Sequence, residues 1–197
     1  QLDPETGQPF GFGTPTGKFE IYSTILDELG LDPLPYWSEP ADSPLSNPDM
    51  AREYPLIMST GGRRHELHHS ELRQIRSLRA LHRYPIVQIH PITARSLGIG
   101  DGDWVWIETP RGRVKQVCEY FPGIDPGVVH AEHGWWYPEE PGEEPNLFGV
   151  WKSNINVVWD NSPEKCSPET GSMPFKAGLC RVYKVMDHPS EDSVLTK

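Results

Sequence analysis

Three cysteines in 197 residues, Cys118, Cys166 and Cys180, are too few and too scattered for a disulfide framework. No C-x-x-C pair marks a zinc or iron–sulfur site. No apolar run approaches the roughly 20 residues that a membrane-spanning helix needs. No basic, apolar, small-residue leader opens the chain, and its first residue is Gln1 rather than Met, the mark of a fragment or a processed product. Basic charge is scarce as well. Against 28 Asp and Glu stand 18 Lys and Arg, a net charge of −10, which argues against generic nucleic-acid binding. What is abundant is turn chemistry: 18 Gly and 21 Pro favour a loop-rich β fold over a helical bundle. The length suits one domain with its own core.

Hydrophobic patterning divides the chain into an arm, a body and a tail. Residues 1–53 are polar and rich in Gly, Pro, Ser and Asp, and read as an extended arm with one short helix over 24–29, capped by Ser23 and stopped by Gly30. Compact structure is expected from 54 to 187, followed by a tail over 188–197. The apolar run 54–60 is a buried strand that feeds Gly61-Gly62. Leu72, Ile75, Leu78 and Leu81 recur three apart, with Arg73, Arg76, Arg79 and Arg83 on an adjacent stripe, so 70–81 reads as an amphipathic helix. Residues 85–90 form a second strand, and 91–97 a short helix begun by Pro91 and ended by Gly98. Val105 and Ile107 alternate with Trp104 and Trp106, so 103–109 is a strand; Pro110-Arg111-Gly112 turns it into a partner over 113–121. Strands over 127–132 and 179–185 complete the set. About six strands with short, irregularly spaced helices predict a mainly β fold, a closed mixed barrel rather than a doubly wound sheet.

The charge is uneven. Between residues 63 and 83 lie six Arg, no Lys and two acids, Glu66 and Glu71, with four of the eight His. Arg suits bidentate recognition of phosphate, which points to a local anion site; a solvated basic helix face is the other reading. Glycines after a strand let backbone N–H groups approach a pyrophosphate, and Ser70 with a helix start would add donors. The string is neither G-x-G-x-x-G nor a P-loop, so a dinucleotide here is not held in the Rossmann manner. His65-Glu66-Leu67-His68-His69 contains H-E-x-x-H, which on a helix would make a zinc hydrolase. Flanking glycines and arginines oppose that reading. His133-Gly134-Trp135-Trp136 either stacks a flat ligand or caps the barrel. Asn154, Asn156, Asp160 and Asn161 either read the edges of a heterocycle or simply form turns. Neither a catalytic triad nor a pair of catalytic carboxylates emerges; Glu139-Glu140 and Glu143-Glu144 read as a solvated acidic loop, or as the contact surface of a stand-alone protein-binding barrel.

In order, TPTGKFEIYS (14–23), STGGRR (59–64), HHSELRQI (68–75), LGIGDGDWVWIETPRGR (97–113), GVVHAEHGWW (127–136), NINV (154–157) and GLCRVYKV (178–185) resemble the C-terminal domain of the bacterial dimethyl sulfoxide reductase (molybdopterin oxidoreductase) family, in its thiosulfate/polysulfide reductase-like or acetylene hydratase-like branch. The resemblance implies a double-psi β-barrel. It implies a bis-guanine-dinucleotide pterin cofactor (bis-MGD) carrying molybdenum or tungsten, of which this domain would clamp one molybdopterin guanine dinucleotide. The cradle it implies is Thr60, Gly61, Gly62, Arg63, His68, His69 and Ser70. His90, Pro91 and Thr93 match the part that meets the nucleotide, though many relatives carry Asn where His90 stands. His133, Gly134, Trp135, Asn154, Asn156 and Lys176 match later loops beside the cofactor. No catalytic or metal-ligating residue is implied in this chain. The metal ligand and any iron–sulfur cluster belong to upstream catalytic domains of the same polypeptide, with an electron-transfer subunit as a further partner, so the isolated chain is expected to be inactive.

Overall fold

A computed structural model of the chain describes residues 2–62 and 64–186. Six strands, β1 (Leu56–Thr60), β2 (Ile86–Ile89), β3 (Trp104–Thr109), β4 (Gly112–Tyr120), β5 (Val128–Ala131) and β6 (Gly178–Lys184), close into a barrel in the order β1-β5-β2-β4-β3-β6. The mainly β, six-stranded barrel expected from the sequence is therefore present. Two pairings are parallel, β1 with β5 and β2 with β4; the others are antiparallel. Period-2 alternation decides what fills the barrel. Met58, Val87, Ile89, Val105, Ile107, Val114, Cys118, Val129 and Ala131 point inward and are buried, joined by Ile155 and Val158 from the connection before β6. Each fully buried Ile or Val contributes about 1.5–3 kcal/mol by leaving water.

Strand direction gives the barrel two distinct ends. Thr60 at the C-terminus of β1 is registered with Ala131 at the C-terminus of β5, and Ala131 with Val87 near the start of β2. Met58 lies opposite Gly178, the first residue of β6. The loops after β1 and β5 and the loops before β2 and β6 thus gather at one end, the Thr60 end. Ile89 at the close of β2 is registered with Val129 and with Tyr120 at the close of β4, which defines the opposite end.

Five short helices decorate the connections: α1 (Thr24–Glu28), α2 (Pro48–Glu53), α3 (Arg76–Leu81), α4 (Pro91–Ser96) and α5 (Val150–Ser153). Ser23 caps α1 as expected, its hydroxyl accepting from the Leu26 amide at 3.3 Å. Within the arm, α2 was not anticipated. It has a clear start, Asn47 accepting from Met50 N at 3.1 Å with Pro48 in the first turn, but only six residues in which to show a period. The single helix expected over 70–81 does not form. Residues Leu72–Gln74 make one 3₁₀ turn, Ile75 is extended at φ −84° and ψ 107°, and only Arg76–Leu81 is α-helical. Arg73 is the cause: it turns inward and is 1% exposed instead of joining a solvent stripe. No helix among the described residues is long and apolar enough to cross a membrane.

Burial separates the cysteines. Cys118 is enclosed in the barrel and its thiol is pushed up to about 12, first by desolvation and then by Asp101 and Asp103. Cys180 is fully buried and shifted upward by the same desolvation. Cys166 is half-buried in a loop. A thiol reagent at mildly alkaline pH should modify Cys166 alone in the folded protein and all three after unfolding. Rapid native-state labelling of Cys118 or Cys180 would contradict the barrel register.

Candidate functional site

At the Thr60 end two side-chain tips close in on the glycine backbone. Gly61 has φ +94°, and a Cβ there would lie 3.0 Å from Lys176 Nζ; a Cβ on Gly62 would lie 2.4 Å from His130 Nε2. The Lys176 ammonium donates to the Thr60 carbonyl, and the Thr60 amide to the Phe175 carbonyl at 3.3 Å. Thr60 itself is buried, and its hydroxyl has no hydrogen-bond partner. Arg63, expected in the cradle, lies outside the described residues. Arg64 is described, with its Nε 3.8 Å from the Glu132 carboxylate.

The chain then makes one 3₁₀ turn, His65–Leu67, and reverses through two consecutive left-handed residues, His68 (φ 43°) and His69 (φ 66°). Left-handed backbone costs a non-glycine residue roughly 1–2 kcal/mol. The surrounding packing must impose it, and Leu67, fully buried against Trp135 and Tyr137, is the anchor. This geometry overturns the zinc-hydrolase reading: His65 and His69 do not sit one turn apart on an α-helix. No group of three or more His, Cys, Asp or Glu among the described residues is arranged to hold a metal ion.

The second loop leaves β5 beside the first. His133 is partly buried, its Nδ1 enclosed without a partner, and its ring meets that of His69 edge-on at 5.9 Å. Gly134 has φ +64°, and a Cβ there would be 2.9 Å from Ser70 Cβ. Trp136 Nε1 donates to the Ser70 carbonyl at 2.6 Å. Trp135, expected beside a ligand, is fully enclosed. The guanidinium carbons of Arg73 and Arg79 lie over its ring, 4.2 and 4.6 Å from the centroid. Its ring therefore has no face to offer, and the stacking reading of this residue is corrected; Trp136 keeps partial exposure.

Burial and neighbouring charge act together on two imidazoles. His130 titrates below its usual value, chiefly from desolvation and then from Lys176 and Arg64. His133 does likewise, from desolvation and then from His69. Desolvation, the larger cause, opposes a charge of either sign; the part that favours an anion is the cationic pair Lys176 and Arg64 acting on His130.

The remaining expected residues divide between the two ends. Asn154 and Asn156 lie at the Thr60 end: Ser153 accepts from Gln116 Nε2 at 3.1 Å, and the same nitrogen donates to the Glu132 carbonyl at 2.8 Å. Asn154 caps the 3₁₀ turn Ile155–Val158 by accepting from Asn156 N at 3.1 Å, which is the turn-forming alternative. Asp160 pairs with Arg111 and Lys165. In the acidic loop, Glu140 pairs with Lys152 at 2.6 Å. His90, Pro91 and Thr93 sit at the far end of the barrel. His90 Nδ1 accepts from Ile92 N at 3.2 Å and so caps α4, and the Thr93 hydroxyl donates to the Pro126 carbonyl, ahead of β5, at 2.6 Å. The structure does not bring these three to the glycine loops.

Four buried residues stand behind the mouth: Glu132 and Gln116, which the sequence did not single out, and Arg73 and His82, which it placed in the basic segment and not in the interior. Glu132 hydrogen-bonds His82 Nε2 at 2.7 Å, accepts from Ile86 N at 3.1 Å and lies 3.4 Å from Arg73 Nη2. The signal for it was the arginine-rich, acid-poor segment 63–83, which needs a counter-charge from elsewhere.

A family model described as the molydopterin dinucleotide binding domain matches residues 56–178. The chain is 38% identical to acetylene hydratase of Syntrophotalea acetylenica, over 88% of this chain and 24% of that protein. It is 37% identical to dopamine dehydroxylase of Eggerthella lenta, over 88% of this chain and 17% of that one. With a dimethyl sulfoxide/trimethylamine N-oxide reductase of Cereibacter sphaeroides it shares 32% identity, over 85% of this chain and 20% of that one. A solved structure of acetylene hydratase from Pelobacter acetylenicus superposes with a TM-score of 0.80 at 36% identity, over 90% of this chain and 26% of that one. The chain thus spans about a quarter or less of these relatives' length.

Two outcomes follow from the geometry. Between the depressed folded values of His130 and His133 and their ordinary value of 6.5, the unfolded chain binds more protons than the folded one. Stability therefore rises with pH through that window and falls on acidification below about 6.5. His130→Asn should flatten the slope in urea unfolding; a slope unchanged by that substitution would contradict the assignment. Gly134→Ala combines a left-handed φ with the Ser70 contact and should destabilise by about 1–3 kcal/mol. An unaltered midpoint would mean that the two loops are not in contact.

Proposed function

The chain belongs to the molydopterin dinucleotide binding domain family, and on that premise we propose that the Thr60 end of the barrel holds the phosphates of a pterin guanine dinucleotide. One observation carries this reading: two loops lined by glycine, each with a buried polar atom lacking a partner, converge beside cationic side chains. The Thr60 hydroxyl and His133 Nδ1 are those atoms, and the Lys176 ammonium is held at the first loop by the Thr60 carbonyl. Such a set suits an oxyanion: glycines admit it, the hydroxyl and imidazole donate to it, and the ammonium neutralises it. Thr60, Gly61, Gly62, Arg63, His68, His69, Ser70 and Lys176 would hold the pyrophosphate. His133, Gly134 and Trp136 would border the pterin side, with Asn156, exposed at the same end, toward the base. His90, Pro91 and Thr93, expected at the nucleotide rather than in the cradle, lie at the opposite end, so this reading gives them no phosphate contact.

The binding unit runs over 54–187, and its two parallel strand pairs support a double-psi reading of the barrel. The full protein would be a molybdenum or tungsten oxidoreductase with a bis-dinucleotide cofactor, its metal ligand and any iron–sulfur cluster in upstream domains of the same polypeptide, and an electron-transfer subunit as partner. The bound group supplies the redox-active metal and its pterin ligand. This domain's share is to neutralise phosphate, orient the dinucleotide and exclude water, so alone it should not turn over substrate.

Acid extraction of the purified full-length protein, followed by mass spectrometry, should yield guanine nucleotide, and Lys176→Ala should retain about tenfold less, the loss of one charge-assisted contact. Full-length protein that contains metal but no guanine nucleotide would refute the reading.

A further inference from the structure

We infer that Arg73 is a positioning residue that fixes the spacing of the two loops from behind, without touching the ligand. One nitrogen does this. Arg73 Nη1 donates to the Ser70 carbonyl at 2.6 Å, at the end of the first loop, and to the Gly134 carbonyl at 3.2 Å, in the second. The loops are separated by 64 residues of sequence, yet Gly134 has no room for a Cβ because Ser70 is against it. Trp136 Nε1 takes the other lone pair of the Ser70 carbonyl, so that oxygen is fully committed.

The guanidinium reaches this place because its surroundings accept a buried cation. Nη2 lies 3.4 Å from the Glu132 carboxylate, itself 3% exposed, and the planar group lies over Trp135. Burial still lowers Arg73 to about 10, so it stays charged at neutral pH. Lysine has a single nitrogen without the planar fork, and cannot serve both carbonyls and Glu132 while covering the indole. Ser70 and Gly134 border the proposed phosphate site, so a change in their spacing would move donors on both sides of it. This step rests on the phosphate reading; the staple between the loops does not.

Arg73→Lys in the full-length protein is the test, with Ile99→Ala as a control that weakens the core at the opposite end of the barrel. Amide hydrogen exchange should accelerate about tenfold at residues 70–71 and 134–136 in Arg73→Lys, the loss of about one charge-assisted hydrogen bond, and not in Ile99→Ala. Guanine nucleotide should dissociate about tenfold faster from Arg73→Lys than from Ile99→Ala when conditions are set so that both variants are equally stable. Equal exchange in the two variants overturns the staple, and equal nucleotide release shows that Arg73 contributes stability alone. Wild-type protein devoid of nucleotide refutes the phosphate reading instead, and hydrogen exchange still decides the staple.

Discussion

The parallel pairing of β1 with β5 is the constraint on which the rest depends. Thr60 and Ala131 share a register position although about 70 residues separate them. Because both strands run the same way, the loops that follow them emerge side by side at one end. An antiparallel pairing would send them to opposite ends and leave each glycine turn alone. Parallel neighbours need a long crossover. Here the crossover carries the arginine-rich segment, β2, α4 and the β3–β4 hairpin, so the chain that closes the barrel also supplies the groups behind the mouth.

Those groups are expensive. A buried guanidinium and carboxylate lose hydration, and their mutual attraction offsets that loss only where hydrogen bonds use the remaining donors and acceptors. Glu132 meets the condition with His82, Ile86 N and Arg73. Arg73 meets it in part, since its Nε has no partner, and Trp135 covers the group with a ring face. A purely apolar filling could stabilise the barrel as well. It could not hold two carbonyl groups at a set distance, which is what a site made of backbone requires. The left-handed pair His68 and His69 follows the same logic: local strain is tolerated where it turns a loop toward its neighbour.

Much of the barrel was legible because alternation and turn chemistry agree locally. Val105 and Ile107 alternate with Trp104 and Trp106, and Pro110-Arg111 ahead of Gly112 makes the turn, so β3 and β4 announce themselves. The glycine loop after β1 was legible for the same reason. Tertiary choices were not. Arg73 carries the spacing of an exposed helix stripe, yet a partner 59 residues away draws it inside. Trp135 and Trp136 are adjacent and chemically alike, and only the fold decides that one is enclosed while the other bonds Ser70. His90 follows a strand just as Gly61 does. Its place at the far end depends on β2 running antiparallel to β5, which no local pattern encodes.

The most direct measurement is a crystal structure of the full-length protein with its dinucleotide bound. The account places phosphate oxygens within hydrogen-bond distance of the Thr60 hydroxyl and the Lys176 ammonium, between Gly61 and Gly134. Phosphates seated instead at the start of α4, against His90 and Thr93, would contradict it.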